Sequence, residues 1–296
     1  MVDEFNPKLT IVVPVALMSG RLQNLEKWVS KISHEIKVLL MHDIKDTKTG
    51  PELEALVARF KSKNIQLIQK RFGSTGAARN AGLELTNSRW VGFWDSDDLP
   101  ILPSYLEMID SAEKKYSDIA IGGFTKVDDR SLNIVGKQKF GASKQENLSL
   151  ICANPGIWRF AFKTVALKDI RFPNLRIGEE QVFIEMLNLV TAKVYFSQKE
   201  VYEYFVGSFH HTSKKKKAIA DITKAMRISW ELINLDRSEN VNYKINFFVR
   251  QALSATKNGN SKTKLKGFIY LLWKTVFTDN AKRKLIIQNL YTIIYS

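Results

Sequence analysis

Three carboxylates crowd four consecutive residues, Asp95, Ser96, Asp97 and Asp98, directly after the apolar run Trp90 to Trp94. Such a run reads as a buried strand, and like charges at its tip repel one another and are costly to desolvate. A counter-ion is therefore expected. Ligands that are all oxygen suit Mg²⁺ or Mn²⁺, which keep some waters and take other oxygens from substrate phosphates. Upstream, GSTGAARNAG (Gly73 to Gly82) places glycines and small residues before a short amphipathic helix that carries Arg79. Downstream, Gly178, Glu179 and Glu180 open a helical stripe of Val182, Phe183, Met186, Leu187 and Val190.

GAARNAG at Gly76 to Gly82, followed by DSDD at Asp95 to Asp98, resembles family 2 of the glycosyltransferases. Members carry a glycine-then-ARNxG loop and, about a dozen residues later, an acidic Asp-x-Asp element at a strand end. The resemblance implies a GT-A fold and transfer of a sugar from a nucleotide-sugar, with uridine diphosphate donors. It assigns Pro14 with Val15, Asp43 and Arg79 to the nucleotide base and ribose, Asp95 to donor and metal, and Asp97 as the main metal ligand. After the second strand the family usually has two acids and Gly-Ser, whereas this chain reads His42-Asp43-Ile44-Lys45. Where the family holds a Glu-Asp pair whose second acid is the general base, this chain has Glu179 and Glu180. Glu180 is thus expected to take the acceptor proton, with Glu179 beside the acceptor. In related transferases a histidine completes the metal site, which points to His211, next to His210, and an imidazole suits Mn²⁺ better than Mg²⁺. Lys214 to Lys217 would close over phosphates. The implied reaction is a single displacement that inverts the anomeric centre. The Gln-x-x-Arg-Trp element of processive members is absent, so addition of one sugar is expected. The family builds bacterial surface polysaccharides, so the acceptor is expected to be a glycan or lipid-linked.

The elements that must position these residues follow from periodicity. Leu9 to Val15 is a continuous apolar, β-branched run, as in strands covered on both faces. Leu22, Leu25, Trp28, Val29 and Ile32 recur at helical spacing, Val38 to Met41 reads as a second strand, and Leu53, Leu56, Val57 and Phe60 as a second helix. Strands at Ile65 to Ile68 and Trp90 to Trp94 complete an α/β alternation, in which ligands bind at the carboxyl ends of strands. Pro14, Asp43 and Asp95 all fall there. A helix over Leu102 to Tyr116 and a strand over Ile119 to Phe124 follow. Residues 128 to 150 read as a mobile acceptor-side loop or hairpin, and 154 to 163 as an edge strand whose Trp158 offers a platform for a sugar ring. Val201 to Phe205 reads as a strand. The catalytic domain is placed at residues 1–212 and a helical, basic region at 213–296. In the latter, Ile222, Ala225, Met226, Trp230 and Ile233 form one stripe, 257 to 266 a basic linker, and Phe268 to Phe277 and Leu285 to Ile294 basic amphipathic helices that either lie on an anionic membrane or pack back on the catalytic domain.

With 296 residues, 45% of them hydrophobic, the chain buries a substantial core, and a single cysteine, Cys152, excludes internal disulfides. The N-terminal MVDEFNPK lacks the apolar core of a secretion signal, and no run of eighteen apolar residues reads as a membrane span. A cytoplasmic protein is expected, either free or peripheral on the inner membrane face. The net charge of +15 is uneven: residues 211–296 hold 17 basic and 5 acidic side chains. Two other readings stand beside the transferase. Ser19-Gly20-Arg21 faintly resembles the phosphate loop of sugar nucleotidyltransferases, although that loop needs several glycines where this chain has one. A nucleic-acid-binding protein would account for the charge but leaves DSDD unexplained.

Overall fold

The computed structural model describes residues 6–207, 216–236, 241–258 and 261–295. Two compact units divide the chain, Met1–Ser143 with Gly156–Arg171 and Ala192–His210, and Lys144–Pro155 with Phe172–Thr191 and His211–Ser296. The basic C-terminal region is thus joined in one unit by two segments from the middle of the chain.

The first unit is a nine-stranded sheet. Its first half alternates strand and helix: β1 (Leu9–Val15), α1 (Gln23–Val29), β2 (Ile36–Asp43), α2 (Thr49–Arg59), β3 (Ile65–Lys70), α3 (Thr75–Glu84) and β4 (Trp90–Phe93). These four strands are parallel, in the order β3-β2-β1-β4. β1 is buried along nearly its whole length, as its continuous apolar run requires of a strand covered on both faces. Pro14 lies beyond the last β1–β4 pair, Val12 with Phe93. Its missing N–H therefore costs that ladder nothing.

The second half is β5 (Leu99–Pro100), α4 (Leu102–Lys114), β6 (Ile119–Asp128), β7 (Ile134–Gln138), β8 (Phe160–Lys163) and β9 (Val194–Val206). The order continues β4-β8-β6-β9-β5, with β7 pairing β6 as a hairpin. β8 is antiparallel to both β4 and β6, so it is an interior strand and not the edge strand that its polar-apolar alternation suggests. Its residues Phe160, Ala161 and Phe162 are all fully buried.

One contact explains a motif residue on structural grounds alone. A Cβ on Gly82 would lie 2.3 Å from Val12 Cγ1, so the final glycine of ARNAG lets α3 settle directly on β1. Alanine is the better helix former by about 1 kcal/mol, yet overpacking here is expected to cost about 1–3 kcal/mol. Gly82→Ala should therefore lower the midpoint of denaturant unfolding; a raised midpoint would show slack between α3 and β1.

The second unit is helical. It holds α5 (Lys144–Ala153), α6 (Glu179–Met186), α7 (Lys216–Leu235), α8 (Asn242–Asn258), α9 (Ser261–Val276) and α10 (Asn280–Tyr295). α5 replaces the loop expected up to residue 150: its polar start conceals a buried face of Asn147, Leu148, Ile151 and Cys152. Similarly, α9 begins at Ser261, inside the stretch whose lysines read as a linker. The expected α7 stripe is buried, with Ile222, Met226, Trp230 and Ile233 packing against Ile245, Phe248 and Val249 of α8.

Within this unit Glu185 is fully buried. Its Oε1 accepts hydrogen bonds from Ser229 Oγ at 2.7 Å and Gln251 Nε2 at 3.2 Å. Burial pushes its carboxyl from 4.5 up to about 8, against the opposing pull of the Ser229 hydroxyl and the Lys244 charge. The folded state thus holds a proton that the unfolded chain releases above its own lower value. That stability is present at low pH and is lost as pH rises from 4.5 towards about 8. Glu185→Gln removes the titration, so relative to the parent it should gain on the order of 4 kcal/mol of stability between the lower and the upper end of this window. Parallel stability curves for the two proteins would show that Glu185 does not titrate there.

Candidate active site

The chain runs from β1 outward through β2 to β3, then returns to pair β4 on the other side of β1. Such a reversal opens a crevice outside the carboxyl ends of the two central strands, where α/β sheets bind ligands. Val15 and Asp43 end β1 and β2, and Asp95 to Asp98 follow β4. The sheet therefore brings these residues to one edge.

The acidic turn is anchored from distant elements. Trp94 is fully buried and meets Trp28, Tyr105 and Tyr202 edge-on, with ring centroids 5.1, 5.0 and 6.4 Å away. The Asp95 N–H donates to the Tyr202 hydroxyl at 3.0 Å, and Asn24 Nδ2 donates to the Asp97 carbonyl at 2.7 Å. The Phe205 N–H donates to Asp98 Oδ1 at 2.8 Å. Asn24 comes from α1, and Tyr202 and Phe205 from β9. Sequence reading missed all three. The bonds span 73 to 107 residues, and the residues concerned carry no motif of their own.

The three carboxylates differ in their surroundings. Asp95 is partly exposed and pairs with Arg79, Nη2 to Oδ1 at 3.0 Å, while the Arg79 side chain is only 1% exposed. Asp97 is half-buried. Asp98 is fully buried, and its Oδ2 has no hydrogen-bond partner among the described residues. Burial first, and then the charges of Asp97 and Asp95, hold its carboxyl well above the ordinary range. A buried carboxylate oxygen beside two further carboxylates, one of them paired with Arg79, is a hard-oxygen donor set. It fits Mg²⁺ or Mn²⁺ coordinated in part by water and phosphate. Among the described residues no cluster of three histidine, cysteine or acidic side chains is preformed for a metal. His210, His211, Lys214 and Lys215 lie outside the described residues.

Asp43 is held by the loop that precedes α3. Its Oδ2 accepts from Gly73 N at 2.8 Å and Phe72 N at 3.2 Å, and its Oδ1 from Lys45 N at 3.0 Å. Burial alone would raise this carboxyl, but the N–H bonds from Gly73, Lys45 and Phe72 outweigh it and hold the group below the usual value. Gly73 has φ +79°, a left-handed conformation that glycine adopts without strain. Asp43 therefore stays ionised and ties the end of β2 to the ARN loop.

Three other expected residues have surroundings of their own. Trp158 is 5% exposed, stacks with Tyr202 and Tyr204 at centroid distances of 4.6 and 5.1 Å, and meets Phe124 edge-on. It is a core residue here and not an open sugar platform, because the strand that follows it is interior. Glu179 and Glu180 belong to the second unit. They open α6 after Gly178, whose φ of +88° suits glycine, with Glu179 buried and Glu180 half-buried. Two acids in a first turn are favoured by the helix dipole. The Ser19-Gly20 loop is already occupied: Gly20 N donates to both Glu52 oxygens, at 2.9 and 3.2 Å, and Ser19 Oγ to Oε1.

Residues 16–177, more than half of the chain, match the model for Glycosyl transferase family 2. The chain belongs to glycosyl transferase family 2. Two relatives are similar in sequence. Glycosyltransferase GlyA of Streptococcus pneumoniae is 23% identical over 217 residues, covering 67% of this chain and 30% of GlyA. The succinoglycan biosynthesis protein ExoO of Rhizobium meliloti is 25% identical over 194 residues, covering 60% of this chain and 55% of ExoO. The chain thus spans only part of the length of the curated relatives it matches. In structure it is similar to residues 1–349 of S. aureus TarS, crystallised in complex with UDP-GlcNAc, with a TM-score of 0.67 at 18% identity over 97% of this chain and 80% of that one. At this identity the likeness bears on the fold, and the GT-A fold expected for a family 2 member is the one observed.

Proposed function

We propose that this chain transfers one sugar, with inversion, from a nucleoside-diphosphate sugar to a glycan or lipid-linked acceptor in bacterial surface-polysaccharide synthesis. The observation that carries this reading is the acidic turn after β4, with its orphaned Asp98 oxygen and the Arg79–Asp95 pair, at the edge where β1 and β4 end. Family membership supports it, as do the UDP-GlcNAc bound by TarS and the succinoglycan role in the name of ExoO.

In this reading Asp97 and Asp95 hold Mn²⁺ or Mg²⁺, with His211 as a further ligand. Once bound, the cation offsets the charge that develops on the diphosphate as it leaves. Arg79 keeps Asp95 oriented, and Pro14, Val15 and Asp43 border the nucleotide. The acceptor hydroxyl oxygen forms the new bond to the anomeric carbon while the bond to the diphosphate oxygen breaks, and Glu180 takes the hydroxyl proton. Attack opposite the leaving group inverts the centre. Glu179 borders the acceptor.

The nucleotidyltransferase reading has less support, because the Gly20 N–H that a phosphate loop would offer is engaged by Glu52. Product analysis separates the two. Nucleoside diphosphate released from a nucleotide-sugar supports the transferase; pyrophosphate released from a nucleoside triphosphate and a sugar phosphate would overturn it.

A further inference from the structure

α9 buries one side and leaves the opposite side apolar. Inside, Thr263, Gly267 and Leu271 are buried, and a Cβ on Gly267 would come within 2.8 Å of Ala255 Cβ on α8. That close approach fixes which face of α9 points out. Outside, Leu265, Phe268, Ile269, Leu272, Trp273 and Val276 are each 49–59% exposed. At 100° per residue these six fall within an arc of about 140°. On the same wheel the exposed Lys264 and Lys266 stand just outside its two edges. α10 continues the pattern, with Ile287, Tyr291, Ile294 and Tyr295 exposed and Lys284 among them.

We propose that this face of α9, extended by α10, docks on the surface of an anionic lipid bilayer. Charge selects that occupant over a second copy of the chain. α9 contains four lysines and α10 two lysines and an arginine, with no acid in either helix. The acid between them, Asp279, is paired with Lys282 at 3.1 Å. Two such faces would repel, whereas anionic headgroups attract lysines that border an apolar stripe and let their chains reach outward. Trp273 and the tyrosines suit the headgroup level, where an apolar ring with a polar edge is favoured. The mode is adsorption. A sixteen-residue helix spans about 24 Å, short of the ~30 Å hydrocarbon core, and no helix among the described residues is long and apolar enough to cross.

Co-sedimentation of the whole chain with vesicles tests this. The chain is expected to pellet with phosphatidylcholine vesicles containing phosphatidylglycerol, and to remain in solution with phosphatidylcholine alone. Lys264→Glu with Lys266→Glu should lower partitioning onto the anionic vesicles by at least about tenfold, since each surface lysine contributes roughly fivefold. Phe268→Ser with Trp273→Ser should do the same while leaving the buried stripe, and hence the melting temperature, unchanged. Three outcomes would overturn the proposal: no pelleting with anionic vesicles at low salt, pelleting indifferent to both double variants, or a dimer in sedimentation velocity that the Phe268/Trp273 variant dissociates.

Discussion

Replacing Asp97 with alanine is expected to abolish sugar transfer and, with it, cation-dependent binding of the nucleoside diphosphate. A carboxylate supplied directly to a divalent cation is worth more than an ordinary hydrogen bond. Without it the cation is lost, and the diphosphate charge has only protein cations against it. The backbone of the turn should survive, because Asn24 holds residue 97 through its carbonyl, and Tyr202 and Phe205 hold residues 95 and 98. A normal melting temperature with activity below about a thousandth of the parent is therefore the expected pair of results. Full activity in this variant, or parent activity unchanged by chelator, would remove the cation from the mechanism. Asp95→Ala is a less clean test, since it also strips Arg79 of its ion pair with Asp95 at a site where that guanidinium is only 1% exposed.

The second large effect is expected at Glu180. Glu180→Gln should cut turnover by roughly two to four orders of magnitude, the usual worth of a general base, with donor affinity nearly unchanged. The amide keeps the size of the side chain and loses only the capacity to take a proton. Glu179→Gln is the control. It shares the first turn of α6 and points about 100° away around the axis. If Glu179 is the critical residue, the role moves by one position. If both variants turn over normally but melt lower, the pair merely stabilises the helix start, and the base lies elsewhere.

How much of this was readable beforehand differs by element. β1, β2 and β4 were legible because parallel strands covered on both faces carry apolar runs, as Leu9 to Val15, Val38 to Met41 and Trp90 to Trp94 do, whereas the partly exposed β3 shows only Ile65, Leu67 and Ile68. The acidic turn was legible for the opposite reason: three carboxylates after a buried strand conflict with local physics unless something compensates them. β8 was misplaced because Trp158, Phe160 and Phe162 alternate with Arg159 as an edge strand would. Arg159 is in fact fully buried, beside the rings of Phe124, Phe140 and Trp158. The first half of β9 was hidden by Ser197, Gln198, Lys199 and Glu200, which interrupt the apolar pattern, while pairing with β6 runs to Phe196 and resumes at Glu200. The turn's anchors, Asn24 and Tyr202, depend on contacts that no local pattern records. α5 was hidden by its polar start, the exposed Lys144, Gln145 and Glu146, and the start of α9 by the exposed Lys264 and Lys266.

The most direct test of the central claim is release of nucleoside diphosphate from a panel of nucleotide-sugars, with UDP-sugars first, measured in Mn²⁺ and again in excess chelator. The expected result is slow hydrolysis of at least one nucleotide-sugar in Mn²⁺, accelerated by an acceptor glycan and abolished by chelator. Release that is equal in Mn²⁺ and in chelator, or no release and no nucleotide binding across the panel in Mn²⁺, would contradict the account.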